Sequence, residues 1–283
     1  MKISIITVSF NAEATISDAM ESVWAQELPE GVEIDYIAID GLSTDRTVEK
    51  IKAFAEKVER RLREKVEGKR FSFRWVSEKD NGLYDAMNKG LKMATGEVVG
   101  ILNADDMMNA RDTIAKVAER FVADDELKFL YSDVRFVAQD TNLDGLKSAT
   151  TKRFICPIIW QPWMLTFGYA PPHPGMYVKK ECFEKWGNYK YEYRIGADYE
   201  MTVRFLRKQC VRREYLRKCT VAMRLGGAST EKGAAGSFVG NNYDVINANR
   251  ENGYLGNRWL ILGKLPMKAL EIIVPKFLRH IGA

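Results

Sequence analysis

The apolar positions of this chain change period repeatedly before residue 110. Residues 3–8, 34–39 and 71–76 are runs of strand length rich in β-branched and aromatic side chains. Between them the spacing becomes helical. Ile16, Met20, Val23 and Trp24 fall at i, i+4, i+7 and i+8 within residues 13–26, and Val48, Ile51, Phe54, Val58 and Leu62 share one face of residues 45–66. A helix over 84–93 and a fourth strand over 97–102 follow. This β-α-β-α-β-α-β order predicts an α/β fold, a Rossmann-type, mostly parallel sheet flanked by helices. A helix over 111–122 and a strand over 128–134 extend it.

Further along the pattern loosens. Residues 139–151 are polar and loop-like, and Pro157, Pro162, Pro171, Pro172 and Pro174 exclude a long regular element from residues 155–175. A helical pattern returns over 189–209, led by Gly196-Ala197-Asp198. Gly226, Gly227, Gly233, Gly236 and Gly240 predict a mobile loop over 226–240. Residues 266–281 place Met267, Leu270, Val274, Phe277, Leu278 and Ile281 on one helical face, with Lys268, Glu271, Lys276, Arg279 and His280 mostly opposite and Pro275 as a kink. Such a basic amphipathic helix suits a membrane interface, its own domain or a homodimer partner.

Composition narrows the class. A chain of 283 residues with 46% hydrophobic residues has ample material for a globular core. Its net charge of +5 suits anionic ligands or a membrane surface and does not specify nucleic acid. Arg60-Arg61-Leu62-Arg63-Glu64-Lys65 is mixed in sign and reads as a solvated helix face. Cys156, Cys182, Cys210 and Cys219 show no C-x-x-C spacing, which argues against structural zinc and for a reduced cytoplasmic setting. No run approaches the ~18–20 apolar residues that span a bilayer. The first apolar run stops at Asn11 and Glu13, unlike a signal peptide.

Ligands of parallel sheets bind beyond the carboxyl ends of the strands, which gathers residues 9–11, 40–45, 77–82 and 103–106 onto one rim. In Asn103-Ala104-Asp105-Asp106 a strand runs into two adjacent carboxylates with no basic residue beside them in sequence. Such a pair wants a hard divalent ion, Mg²⁺ or Mn²⁺, or else forms a polar turn that caps the next helix.

The rim segments Thr7-Val8-Ser9-Phe10-Asn11, Asp40-Gly41-Leu42-Ser43-Thr44-Asp45-Arg46-Thr47, Glu78-Lys79-Asp80-Asn81-Gly82-Leu83-Tyr84-Asp85-Ala86-Met87-Asn88-Lys89-Gly90 and Leu102-Asn103-Ala104-Asp105-Asp106 resemble the nucleotide-sugar half of family 2 glycosyltransferases, which have the GT-A fold. The resemblance is specific over residues 1–110, weakens beyond, and is absent after Ser229. It implies an inverting hexosyl transfer from a nucleotide-sugar donor, UDP-linked in first expectation. The acceptor would be a hydroxyl of a saccharide or lipid-linked saccharide in bacterial surface polysaccharide assembly. The enzyme would be cytoplasmic and peripheral on the inner face of the membrane.

By the same resemblance, Ser9, Asn11, Glu13, Asp40, Asp80, Asp85, Asn88 and Asn103 border the nucleotide and diphosphate. Asp105 and Asp106 hold the ion or the donor ribose, with asparagine at 103 where an aspartate often stands. Asp198 matches the catalytic base, with Glu200 as second candidate, and His173 a position near the acceptor. Each has a structural alternative. Asp40, Asp45, Thr47 and Asp198 are also good helix-capping residues. Asp80, Asp85 and Asn88 suit a network that holds the rim; Asp85 and Asn88 share a helix face, from which Lys89 points elsewhere. Trp160 and Trp163 suit either sugar stacking or packing. The chain divides into a donor half (1–110), an acceptor-side half of the same domain (111–225) and a loop with a helical extension (226–283). A sugar nucleotidyltransferase or a non-catalytic nucleotide-binding scaffold are the rivals. The first lacks its Gly-rich basic loop after strand one, and a dehydrogenase its G-x-G-x-x-G.

Overall fold

Strand β1 (Lys2–Ser9) alternates its side chains between two cores, which fixes it at the centre of the sheet. Ile3 and Ile5 face one core with Ile34, Tyr36, Ile51 and Phe54. Ile6 and Val8 face the other with Ile37, Ile39, Met87 and Leu91. The computed structural model describes residues 1–64, 70–193, 196–226, 234–263 and 267. In chain order, α1 (Ile16–Trp24), β2 (Glu33–Asp40), α2 (Thr47–Arg63), β3 (Phe71–Ser77), α3 (Leu83–Met93) and β4 (Val98–Ile101) complete the predicted alternation. β5 (Met107–Met108), α4 (Thr113–Ala123), β6 (Phe129–Val137), β7 (Arg153–Ile155), β8 (Met176–Lys179) and α5 (Lys180–Trp186) follow. The described chain continues through α6 (Ala197–Thr202), β9 (Arg213–Arg224), α7 (Ala234–Glu251) and α8 (Arg258–Ile261).

The strand order is β3-β2-β1-β4-β8-β6-β9-β5, with β7 paired to β6. β3, β2, β1 and β4 run parallel, and β9 runs parallel to β6. β8 lies antiparallel between β4 and β6, in registers Val99↔Val178 and Leu130↔Tyr177. The result is the expected mostly parallel sheet, with β5, β7 and β8 reversed, which the pattern along the chain did not foretell. Registers Ser9↔Asp40 and Asp40↔Ser77 bring three strand exits level. α3 lies close against β1: a Cβ on Gly90 would stand 2.4 Å from Ile6 Cγ2.

Two helical expectations change. The helix expected over 189–209 is confined to α6 and a π-helical turn at Val203–Lys208, where the Arg204 side chain reaches back to the carbonyls of Trp186, Gly187 and Asn188. The loop expected over 226–240 loses residues 234–240 to α7, which begins on two alanines and whose later turns bury Val245 and Ala248. Residues 227–233 of that loop lie outside the described residues, as do residues 268–281 of the amphipathic segment. Among the described residues no helix is long and apolar enough to cross a membrane.

Candidate active site

The exits of β1 and β2 are joined by side chains that satisfy each other's main chains. Asp40 is fully buried, and its carboxylate accepts from Ser9 Oγ (3.2 Å), Ser43 N–H (3.0 Å), Ser43 Oγ (2.5 Å) and Ser77 Oγ (2.7 Å). Ser9 and Asp40 thus bind the strand ends to one another. Asn11 and Leu42 both hold left-handed backbone, φ 48° and 61°, at neighbouring exits. Asn11 Oδ1 accepts the Thr44 N–H at 2.8 Å, and its own N–H donates to Ser43 Oγ at 2.8 Å. Left-handed non-glycine residues stabilised in this way concentrate at functional loops. Glu13 Oε2 accepts the Arg46 N–H at 3.1 Å, and Asp45 accepts from Glu13 N–H and from Thr47. Thr47 is thus the first residue of α2 and Asp45 accepts its N–H just ahead of the helix, so both are helix-start residues, with Arg46 at the cap position.

At the mouth of α3, Asp80 Oδ1 accepts the Gly82 N–H at 2.9 Å, and its other oxygen lies against Gly41 of the β2 exit. Asp85 accepts the Asn81 N–H at 2.9 Å and stays on the rim. Asn88 is buried and clamps another segment, donating to Tyr189 O at 2.7 Å and accepting Tyr189 N–H at 3.0 Å. Lys89 turns back to the rim rather than away from it, to Lys79 O at 2.6 Å and Glu78 at 2.9 Å.

The Asn103-Ala104-Asp105-Asp106 turn does have a basic neighbour, which comes from the far end of the sheet. Arg224 of β9, itself buried, donates to Asp105 O (2.9 Å), Thr141 O (2.8 Å) and Asp18 Oδ2 (2.5 Å). Asp106 is 1% exposed and accepts Asn103 Nδ2 at 3.1 Å, whereas Asp105 remains partly exposed. Burial raises both carboxyls above their ordinary range, and Asp106 is pushed higher still by the Asp105 charge. Asn103 Oδ1 is buried with no hydrogen-bond partner. Two desolvated carboxylates and an unpartnered amide oxygen form a hard-oxygen donor set that fits Mg²⁺ or Mn²⁺. Among the described residues no group of three or more His, Cys, Asp and Glu side chains gathers for a metal. Mg²⁺ commonly takes one or two carboxylates and completes its shell with phosphate oxygens.

On the opposite side of the rim stands Asp198, half-buried near the start of α6. Its Oδ1 accepts Tyr84 Oη from α3 at 3.0 Å and the Tyr199 N–H at 2.8 Å. Tyr84 stacks on Tyr189, whose hydroxyl pairs with His173 Nε2 at 2.9 Å. Burial lowers the basicity of His173, with the Asp198 charge working the other way, so the ring is neutral near pH 7. Tyr84 and Tyr189 were not among the sequence candidates. Their signal was a tyrosine on the apolar face of α3 and another at the end of a loop, which is indistinguishable from packing.

One candidate is removed, and one open alternative is decided for packing. Glu200 is fully buried and ion-paired to Arg204 at 2.9 Å and Lys190 at 3.2 Å, with Asn252 as a further donor. These partners outweigh the effect of burial and hold its carboxyl below the ordinary range, so it cannot serve as a base on an incoming hydroxyl. Trp160 is fully buried, its indole N–H donating to Tyr169 O, and is a core residue; Trp163 remains 54% exposed.

Residues 4–180 match the profile of Glycosyl transferase family 2. A PGL/p-HBAD biosynthesis glycosyltransferase of Mycobacterium tuberculosis is 28% identical over 204 residues, 71% of this chain and 68% of that protein. Among solved structures, TarS residues 1–349 from S. aureus superposes with a TM-score of 0.58 at 16% identity, covering 88% of this chain and 65% of that one. The mannosyltransferase PcManGT from Pyrobaculum calidifontis, in complex with GDP-Man and Mn²⁺, gives 0.59 at 18% identity, with 88% of this chain and 63% of that one covered. The chain thus spans just under two thirds of the length of either structure.

Proposed function

Because this chain belongs to glycosyl transferase family 2 and has the GT-A fold, we propose that it moves one sugar from a nucleotide-sugar to a hydroxyl of a saccharide or lipid-linked saccharide, inverting the anomeric carbon. The observation that carries the reading is the hydrogen bond from Tyr84 to Asp198, because it draws an acceptor-side carboxylate to the edge of the donor rim. Asp198 takes the acceptor's proton on Oδ2 as the acceptor oxygen bonds to the anomeric carbon. The bond from that carbon to the diphosphate breaks, and its electron pair leaves with the nucleoside diphosphate. A base so placed contributes typically ~10²–10⁴-fold.

Ser9, Asn11, Glu13, Asp40, Asp80 and Asp85 line or brace the donor rim. Asp40 acts there by fixing Ser43 and the strand exits, since all four of its hydrogen bonds are internal. Asp105 and Asp106, with Asn103 Oδ1, would hold a Mg²⁺ or Mn²⁺ ion, Asp105 from the partly exposed side. When bound, that ion neutralises the charge that develops on the departing diphosphate. Support for this comes from the Pyrobaculum enzyme, which binds GDP-Man with Mn²⁺, and from glucosyl-3-phosphoglycerate synthase of Mycobacterium tuberculosis, solved with Mg²⁺ and UDP. Asn88 and His173 hold Tyr189 and so shape the acceptor side.

Calorimetric titration with UDP, GDP and dTDP, each with Mn²⁺ and with EDTA, tests the donor assignment. One nucleotide is expected to bind with Mn²⁺ and to lose affinity in EDTA. If none binds in either condition, a non-catalytic scaffold becomes the better account.

Contact with the inner face of the membrane belongs to the same proposal. Trp163, Leu255, Trp259 and Leu262 are exposed, and α8 lies beside the 3-10 turn Pro162–Phe167 that carries Trp163. Exposed tryptophans, one of them shortly before the basic amphipathic stretch in sequence, suit a lipid interface. Co-sedimentation with anionic phospholipid vesicles is expected, and Trp259→Ser should weaken it; a protein that stays in the supernatant removes this part of the reading.

A further inference from the structure

Two hydrogen bonds fall on the same oxygen of Asp198, and their sources differ. Tyr199 N–H belongs to the helix that carries the aspartate, whereas Tyr84 Oη comes from α3, whose first turn follows the Asp80 to Gly82 rim loop. Among the described residues no donor bonds to Oδ2. We infer that Tyr84 is a positioning residue for the transfer: its hydroxyl pins Oδ1, turns Oδ2 toward the acceptor, and ties the base to the donor-side helix. This rests on the reading of Asp198 as the base.

The surroundings suit a fixed donor. Tyr84 is buried, packs face to face on Tyr189 at 5.8 Å, and is held in place by the close approach of α3 to β1. Its hydroxyl is pushed well above the usual range by burial and by the Asp198 charge, so it remains a proton donor at any working pH. Among the described residues, the titratable groups facing Asp198 are Tyr84 from α3, Tyr189 from the preceding loop and His173 from the 3-10 turn His173–Gly175. On α7, Asp244 accepts the Gly196 N–H at 3.1 Å, close by in the chain. Of these, Tyr84 alone bonds the carboxylate. His173 pairs with Tyr189 rather than with Asp198, which leaves Tyr84 as the side chain that fixes the carboxylate's orientation.

The test is transfer by Tyr84→Phe, which keeps the ring and its stacking and removes only the oxygen. With both substrates saturating, kcat should fall by about tenfold or more, while the KM for the donor and the thermal midpoint stay close to wild type. An unchanged kcat in a folded Tyr84→Phe protein overturns the inference while leaving the base in place. Asp198→Asn, measured beside it, separates the two: if that variant still turns over, the base assignment itself has failed.

Discussion

Asp198→Asn should lower kcat by ~10²–10⁴-fold and leave nucleotide affinity unchanged. Asparagine keeps an oxygen to accept from Tyr84 and the Tyr199 N–H, so the amide orients as the carboxylate does. That orientation leaves an NH₂ group where the proton acceptor was, and a group with no available lone pair cannot take the hydroxyl's proton. Binding is spared because none of Asp198's hydrogen bonds involves the β1, β2 or β4 exits that make the donor rim. Initial rates with donor and acceptor, alongside calorimetry with the nucleotide alone, give both numbers. Turnover at the wild-type rate would send the search for a base elsewhere, but not to Glu200, whose carboxylate is committed to Arg204 and Lys190.

A comparable loss is expected at the opposite end of the reaction. Asp105→Asn should remove the Mn²⁺ dependence of nucleotide binding and cut transfer by at least ~10²-fold, the usual scale for losing one group that stabilises developing charge. Asp105 is preferred over Asp106 on geometry. Asp106 is turned inward and held by Asn103 Nδ2, whereas Asp105 keeps exposure at the rim and is anchored by Arg224 through its main-chain oxygen rather than its carboxylate. Both carboxyls are held above their ordinary range by burial, so a proton competes with a cation for each more strongly than for an exposed aspartate. Metal affinity should therefore rise with pH through the range in which the pair ionises. Nucleotide titrations of the two asparagine variants at fixed Mn²⁺ decide the order: loss of metal dependence in Asp106→Asn but not in Asp105→Asn reverses the assignment.

What could be read from the sequence was local. Period changes over residues 3–102 reproduce β1 to β4 and α1 to α3 to within a few residues at most ends, because each element buries one regular face against the sheet. The strand-exit rule then brought Ser9, Asp40, Ser77 and the 103–106 turn to one edge. What escaped depends on contacts between distant residues, which leave no periodic trace. Arg224 is 119 residues from Asp105, and Tyr84 is 114 from Asp198. The absence of a base beside Asp105 and Asp106 was true along the chain and untrue in space. Glu200 and Trp160 looked available because their residue types suit the chemistry, and only burial among Arg204, Lys190 and Tyr169 removes them. α7 was missed because its glycines read as loop, although its later turns and the residue after it supply Asn249 and Asn252 to the α6 side.

The reversed strand β8 has a bearing on how such enzymes change their substrates. It belongs by chain position to the acceptor side, yet it is hydrogen-bonded directly to β4 of the donor side and to β6 beyond it. The two halves are therefore joined edge to edge in one sheet and share a core, so they are poor units of exchange. A recombination joint near residue 110 would graft a foreign β8 onto native β4, and the Val99↔Val178 register would have to be rebuilt before either half packed. New acceptors are more readily acquired by exchanging the loops that rise from the sheet, and lineages of this architecture should diverge at their rims while inheriting the sheet whole.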